Sequence, residues 1–144
     1  MIGLIQRVAK AEVQINGANH CSIDQGIVIL LGIEVEDSLD IVDRMINKVI
    51  NYRIFSDENK KMNLSLQDIH GHLLVVPQFT LSANTKKGLR PSFKSVPVDF
   101  SKNLFENFVL RAKDKLDNVK SGVFAADMQV SLVNDGPVTF WIHI

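Results

Sequence analysis

The alternation of hydrophobic and polar residues predicts several strands in the chain. Residues 11–15 (AEVQI) alternate with a period of two and lead into an Asn-Gly dipeptide, which is typical of tight hairpin turns. Residues 26–33 (GIVILLGI) form an apolar run with glycines near both ends, which is typical of a strand buried on both faces. Residues 71–83 (GHLLVVPQFTLSA) predict a further strand. Pro77 should interrupt it, because proline has no backbone N–H to donate.

Two longer segments predict amphipathic helices. In residues 37–55 the apolar side chains recur every three or four positions, and Asp37 or Ser38 is placed to cap the first turn. The second helix has its apolar stripe at Phe100, Leu104, Phe105, Phe108, Val109 and Ala112. The chain is therefore predicted to be a single α/β domain over residues 1–144. Its sheet is predicted to be mostly antiparallel or mixed and barrel-like, and the two helices should cover it.

The C-terminal segment, residues 127–144 (DMQVSLVNDGPVTFWIHI), predicts a pair of strands joined by a turn at Asn134-Asp135-Gly136. Pro137 follows at once, where a returning strand would need a backbone donor. A turn does not need both Gly136 and Pro137, so this dipeptide is a candidate for a second role.

Composition and charge narrow the function classes. Lys and Arg together number 16, as do Asp and Glu, so nucleic-acid binding would have to come from a local basic patch. Cys21 is the only cysteine, which excludes an intrachain disulfide. The longest apolar run, residues 27–33, is far shorter than a spanning helix of about 18 residues. A cytoplasmic protein with no membrane association is expected.

A basic cluster follows the predicted strand that contains Pro77. It consists of Lys86, Lys87, Arg90 and Lys94, which fall within nine residues of a loop-like segment. Such a cluster can be a solvated loop, or it can bind phosphates at the end of an RNA. The residues alone leave both interpretations open.

The remaining candidate residues point to no common catalytic arrangement. His70 and His72 would share a face of a strand, but no third ligand at a typical spacing accompanies them, so no metal site is expected. There is no G-x-S-x-G motif of a serine hydrolase. Thr80 is a candidate hydroxyl at the end of a strand, although threonine is also simply a good strand residue.

Five segments carry a resemblance to a known family. They are QRV (6–8), RIFSDENKKMNLSL (53–66), PQFTL (77–81), TKKGLRPSF (85–93) and ADMQVSLVNDGPVT (126–139). In their order, and in the length of the chain, they resemble the D-aminoacyl-tRNA deacylases. The resemblance spans nearly the whole chain.

The resemblance implies an esterase that needs no cofactor and removes D-amino acids from tRNA, and also glycine from mischarged tRNA. It implies a homodimer with active sites at the subunit interface. The Gly136-Pro137 bond would be cis, and its carbonyls would exclude an L side chain from the partner's pocket. Arg7 matches the arginine that braces this segment in the family.

The resemblance also assigns the catalytic segment. Gln78, Phe79 and Thr80 match the family's S-Q-F-T motif, in which Pro77 stands here at the position of the serine. The backbone N–H groups of Phe79 and Thr80 would stabilise the oxyanion. The substrate's 2′-OH would activate water, and Thr80 as a covalent nucleophile is the alternative.

Two other classes of protein are carried as alternatives. One is a non-catalytic domain that binds an RNA end or a small molecule on the same fold. The other is a metal hydrolase that uses His70 and His72. D-Tyr-tRNA, L-Tyr-tRNA and a chelator distinguish the three possibilities.

Overall fold

A mixed β-sheet forms the body of the molecule in a computed structural model, which describes residues 1–86, 88–93 and 96–144. The elements are β1 (Ile2–Ile15), β2 (Ala18–Ile23), β3 (Gly26–Gly32), α1 (Leu39–Ile50), β4 (Phe55–Ser56), β5 (Met62–Leu64), β6 (His72–Pro77), a 3₁₀ helix (Phe79–Ser82), β7 (Ala83–Asn84), β8 (Ser92–Phe93), α2 (Val98–Lys113), β9 (Val119–Ser121) and β10 (Gln129–His143).

The main sheet has the strand order β10-β1-β3-β6-β9, and β2 also pairs with β1. The β3–β6 and β6–β9 pairs are parallel, whereas β1 pairs antiparallel with β2, β3 and β10. With 14 residues, β1 is long enough to pair with β3 through its first half and with β2 through its second half. The sheet therefore curls into a nearly closed barrel, and the predicted fold class is confirmed.

The two predicted helices cover one face of this sheet. Ser38 caps α1, since its side chain accepts a hydrogen bond from the backbone N–H of Ile41 at 3.4 Å. The buried stripe of α2 comprises Leu104, Phe105, Phe108 and Ala112. A second apolar cluster lies on the opposite face of the sheet and contains Val8, Ala11, Val13, Ile23, Val28, Leu74 and Val76. Both faces of the central strands are thus buried, as the continuous apolar run of β3 predicts.

The predicted hairpin at Asn134-Asp135-Gly136 is wrong. The whole segment belongs to one strand, β10, which pairs with β1 on both sides of these residues. Asn134 lies opposite Val8 and Thr139 lies opposite Gln6, so residues 135–138 form a bulge in the strand. The turn-forming residues build this bulge instead of a reversal, because β1 offers a partner along the full length of β10.

Pro77 ends β6, as predicted, without disturbing the parallel ladder. The N–H of Gln78 donates to the carbonyl of Leu31 in β3 at 2.8 Å. Successive residues of a strand point their N–H groups to opposite sides, so an N–H group at residue 77 would point toward β9. There β9 has already ended at Ser121, which leaves no ladder bond for Pro77 to lose.

Candidate active site

Gln78, Phe79 and Thr80 lie together at the carboxyl end of β6, where the strand turns into the 3₁₀ helix. Gly32 permits this turn, because a Cβ on it would lie 3.0 Å from Leu81 Cβ and 3.2 Å from the carbonyl oxygen of Gln78. The Gln78 side-chain amide donates to the Thr80 hydroxyl. The backbone bond from Gln78 to Leu31 therefore holds the segment to the sheet, and the side-chain bond lies within the segment itself.

The backbone N–H groups of Phe79 and Thr80 are the first two of the 3₁₀ helix. Residues at this position have no acceptor within the helix, because each would need a carbonyl from the strand that precedes it. The first bond of the helix is donated by Leu81 to the carbonyl of Gln78 at 3.3 Å. Two adjacent donors at a helix start can bind a carboxyl-derived oxyanion.

A cavity of about 680 Å³ opens beside this segment. Gln78 and Phe79 line it from one side, and it is otherwise lined mainly by apolar residues, among them Val76, Phe124, Met128 and Val130. Its size is in the range of small-molecule and nucleotide sites. The Phe79 side chain is 69% exposed at this position, which is unusual for a phenylalanine.

The basic segment adjoins the same end of the molecule. Strands β7 and β8 pair as a small hairpin directly after the 3₁₀ helix, and the rings of Phe79 and Phe93 are 5.2 Å apart. Lys86 and Arg90 lie in the hairpin loop and are exposed. Lys87 and Lys94, the other two predicted cations, lie outside the described residues. The hairpin that carries these cations reaches the cavity through Phe93, which lines it.

Arg7 and Gly136 form a second group, on the β10 bulge. Arg7 is only 9% exposed as a residue; its Nε donates to the carbonyl of Asp135 at 3.2 Å and lies 3.0 Å from that residue's carboxylate. Its Nη1 donates to the carbonyl of Ile54 at 2.6 Å. Gly136 has a φ of +129°, and the Gly136-Pro137 peptide bond is cis, as the resemblance implies. Gly136 and Pro137 are exposed.

The β4–β5 hairpin begins just after the Ile54 carbonyl that Arg7 binds. A hydrogen bond from the Asn63 side chain, with further ones from the N–H groups of Lys61 and Asn59, holds the pKa of Asp57 below its ordinary value. Arg53 secures the other strand of the hairpin through the Asn63 carbonyl at 2.6 Å. These contacts order the segment that supports Arg7.

The two groups are not brought together within one chain. Gln78 is bonded to Leu31, whereas Arg7 pairs with Ile27, which lies four residues earlier in β3 and therefore roughly 13 Å away along the strand. The order β10-β1-β3-β6 adds three strand spacings of about 4.8 Å each across the sheet. A site that used both groups would need a second copy of the chain.

The histidines considered for a metal site lie elsewhere. His70 is in the turn before β6 with a φ of +50°, and His72 Nδ1 is 3.4 Å from the carbonyl of Gln25. Over residues 1–86, 88–93 and 96–144, no three His, Cys, Asp or Glu side chains are grouped as a metal site requires. No helix in the described part of the chain is long and apolar enough to cross a membrane.

Comparison with known proteins identifies the family. The sequence profile of the family described as D-Tyr-tRNA(Tyr) deacylase matches residues 4–143. The chain belongs to the D-aminoacyl-tRNA deacylases. It is 54% identical to the D-aminoacyl-tRNA deacylase of Haemophilus influenzae (strain PittEE), with all of both chains covered. It is 58% identical to that of Pseudoalteromonas translucida (strain TAC 125), with 97% of each covered.

Solved structures share the fold of this chain. A protein described as c-Myc DNA Unwinding Element Binding Protein superposes with a TM-score of 0.95 at 34% identity, covering 100% of this chain and 99% of that one. A probable eukaryotic D-amino acid tRNA deacylase has the same fold, with a TM-score of 0.79 at 16% identity and 98% of both chains covered. The family match and the Haemophilus and Pseudoalteromonas relatives make the chain a hydrolase of the aminoacyl-tRNA ester bond.

Sequence reasoning missed several residues that shape these groups. The carbonyls of Leu31 and Ile54 hold Gln78 and Arg7 in place, yet backbone acceptors leave no trace in residue type. Asn134, interpreted as a turn residue, bonds to Val138 and Thr139 instead. Its position two residues before Gly136 is the only signal that could have indicated a role.

Proposed function

We propose that this deacylase hydrolyses the ester bond of D-aminoacyl-tRNA, and of glycyl-tRNA mischarged on a non-cognate tRNA, in the cytoplasm and without a cofactor. The observation that supports this most directly is the pair of N–H donors at Phe79 and Thr80. They begin a 3₁₀ helix beside an apolar cavity of about 680 Å³. Ester hydrolysis needs such donors where negative charge develops.

The chemistry follows from these donors. Water attacks the ester carbonyl carbon, and the carbonyl oxygen takes up the negative charge while accepting hydrogen bonds from both N–H groups. The substrate's own 2′-OH takes a proton from the attacking water and passes its own proton to the 3′ oxygen. The bond between the carbonyl carbon and the 3′ oxygen breaks, and the free amino acid and the tRNA leave. The protein therefore supplies position and charge stabilisation in this scheme.

Selection against L-amino acids is assigned to the Gly136-Pro137 segment. Glycine permits a close approach of backbone to ligand, and Gly136 is exposed on its bulge. Backbone atoms beside the α-carbon would leave no room for the side chain of an L-amino acid. This exclusion does not depend on the chemistry of the side chain that a D-amino acid carries on the other side. Glycine has no side chain to exclude, so glycyl-tRNA would remain a substrate.

A homodimer would complete each site. Strand β10 is an edge of the main sheet with 15 residues, and it exposes Val133 and Trp141, which are 48% and 59% accessible. A long edge strand with exposed apolar residues is normally covered by a partner. A two-fold arrangement would bring Gly136-Pro137 of each chain to Gln78-Phe79-Thr80 of the other.

The basic hairpin would bind the tRNA backbone. Lys86 and Arg90 are exposed in the loop of this hairpin, whose Phe93 lines the cavity that would receive the terminal ribose. The overall net charge of zero makes a local patch necessary. Lys87 and Lys94 extend the cluster in sequence. The proposal therefore assigns affinity to this hairpin and selectivity to the β10 bulge.

The test is hydrolysis of D-Tyr-tRNA, L-Tyr-tRNA and Gly-tRNA by the purified protein. We expect loss of the D-ester and of the glycyl ester and survival of the L-ester. Survival of all three would favour the non-catalytic RNA-end binding domain, and hydrolysis that a chelator abolishes would favour a metal enzyme.

A matched pair of variants tests the backbone donor itself. Phe79→Pro removes the N–H at the first helical position, where proline is well tolerated, and Phe79→Ala removes only the ring. We expect Phe79→Pro to be ~10²–10³-fold slower than Phe79→Ala. Equal rates for the two variants would contradict the oxyanion role of this N–H.

A further inference from the structure

We propose that Asn134 is a positioning residue that holds the Gly136-Pro137 segment in place and thereby sets the preference for D over L substrates. This inference rests on the proposed function of that segment. Asn134 is the last residue of β10 before the bulge, and Thr139 is the first after it. The four residues between them leave the ladder while β1 advances by Arg7 alone.

The Asn134 side chain connects the two ends of this bulge by hydrogen bonds. Its Oδ1 accepts a hydrogen bond from the backbone N–H of Val138 at 2.8 Å. Its Nδ2 donates to the hydroxyl of Thr139 at 2.9 Å. One side-chain amide thus replaces the strand hydrogen bonds that the bulge interrupts.

Chemistry determines the orientation of this amide. The backbone N–H of Val138 is only a donor, so the atom facing it must be the amide oxygen of Asn134. The amide nitrogen then faces the Thr139 hydroxyl, which also accepts a hydrogen bond from the Gln6 side chain at 3.3 Å. Gln6, Thr139 and Asn134 therefore form a continuous connection from β1 to the bulge.

Arg7 and Asn134 fix opposite ends of the segment. Arg7 binds the carbonyl of Asp135, immediately before Gly136, and Asn134 binds the N–H of Val138, immediately after Pro137. Gly136 and Pro137 are held between these anchors, although both are exposed. A backbone wall selects by shape only if it cannot move, and an error of about 1 Å in position can cost ~10²-fold in rate.

The test compares Asn134→Leu with Asn134→Asp. Leucine has a similar size and neither hydrogen bond. Aspartate can accept from Val138 and can take the Thr139 proton on its other oxygen. The readout is the ratio of kcat/KM for D-Tyr-tRNA to that for L-Tyr-tRNA, with the melting temperature measured beside it. Asn107→Ala, at a partly exposed position of α2 whose side chain bonds within the helix, is the control.

We expect Asn134→Leu to lower the D-to-L ratio by about tenfold or more, because the loss of one hydrogen bond can cost about tenfold and leucine makes neither of the two. Asn134→Asp and Asn107→Ala should keep a ratio close to that of the wild type. Thr139→Val removes the hydroxyl that accepts from both the Asn134 and the Gln6 amides, so it should lower the ratio as well, and Thr139→Ser should restore it. This second pair decides the question if Asn134→Leu does not fold.

A wild-type ratio in both Asn134→Leu and Thr139→Val would overturn the positioning role, whatever their melting temperatures, because a purely structural residue changes stability alone. A low ratio in Asn134→Asp as well would overturn it too. A wild-type enzyme that hydrolyses both esters equally would overturn the proposed function, and this inference with it, before any substitution is made.

Discussion

The backbone conformation of Gly136 determines the shape of the bulge, and through it the proposed activity. With a φ of +129°, it occupies a region that side chains rarely adopt, and a Cβ there would lie 2.6 Å from Val138 Cγ2 and 3.1 Å from Arg7 Nη2. Substitution by alanine must therefore shift the segment that faces the proposed partner site. The consequence should be larger for catalysis than for folding.

We predict that Gly136→Ala lowers kcat/KM for D-Tyr-tRNA by ~10²-fold while the protein still unfolds in one cooperative transition. Gly17→Ala is the matched control, since Gly17 also has a positive φ, +76°, but no atom lies within 4 Å of its added Cβ. Both variants should lose roughly 1–2 kcal/mol of unfolding free energy from backbone strain. Equal activities of the two variants would argue against a catalytic role for Gly136.

Substitution of Thr80 tests whether catalysis depends on backbone N–H groups or on the Thr80 hydroxyl. Its hydroxyl accepts a hydrogen bond from Gln78, and in the described part of the chain no carboxylate or imidazole is hydrogen-bonded to it as a base would be. We predict that Thr80→Ala keeps activity within about tenfold of the wild type, since only a neutral hydrogen bond is lost. Mass spectrometry of the wild type during turnover should show no acyl-enzyme, and an aminoacyl adduct on Thr80 would restore the nucleophile alternative.

At the scale of elements, the β4–β5 hairpin supports Arg7 and depends on a charged Asp57. The hydrogen bond from Asn63, with those from Lys61 and Asn59, lowers the pKa of Asp57. A lowered folded-state pKa contributes stability above the unfolded value of about 3.9, and that contribution is lost as the pH falls through the folded pKa. The hairpin should therefore be less stable at acid pH than at neutral pH.

We predict that Asp57→Asn lowers the urea midpoint at pH 7, and that the gap from the wild type closes as the pH falls below about 4. Asn63→Ala removes the hydrogen bond that lowers the pKa of Asp57 most, so this variant should reproduce the same pH dependence. Urea titrations at several pH values measure this. A gap that stays constant down to acid pH would show that the Asp57 charge does not contribute.

The basic hairpin between β7 and β8 should contribute to affinity and not to chirality. We predict that changing Lys86, Lys87 and Arg90 together to Ala weakens tRNA binding and reduces the slope of log K against log salt, by ~0.7–0.9 for each phosphate that is no longer neutralised. The D-to-L ratio should persist. Arg44, Lys48 and Lys113, changed together to Ala on the helices, are the control with the same charge difference. An unchanged salt slope in the hairpin variant would identify it as a solvated loop.

The elements also show what the sequence could predict. Periodicity identified both helices, a continuous apolar run identified β3, and Pro77 identified the end of β6, because these signals depend on residues close together in the chain. The error at residues 134–136 arose because Asn-Asp-Gly has the composition of a turn, whereas the length of β1 decides whether β10 continues. Pairing with a strand over a hundred residues away is not visible in a local pattern.

At the scale of the whole molecule, sequence patterns could not place the candidate residues relative to one another. The resemblance named Arg7, Gly136 and the Gln78-Phe79-Thr80 segment, but register determines that the first two lie far from the third in one chain. The carbonyls that hold them depend on the same register. The proposed mechanism therefore depends on an assembly in which two chains share each site.

Mixed dimers would reveal whether sites are shared in this way. One chain carries Phe79→Pro and the other Gly136→Ala, each with a different affinity tag, and the doubly tagged dimer is purified. If sites are shared, one site of the mixed dimer combines the intact Phe79 of one chain with the intact Gly136 of the other, and the second site carries both defects.

We expect the mixed dimer to hydrolyse D-Tyr-tRNA at about half the wild-type rate, since one of its two sites is intact. Each single-variant homodimer, with a defect in both sites, should be far slower. A mixed dimer no faster than the average of the two homodimers would contradict the shared site, because it would show that each chain builds its site alone.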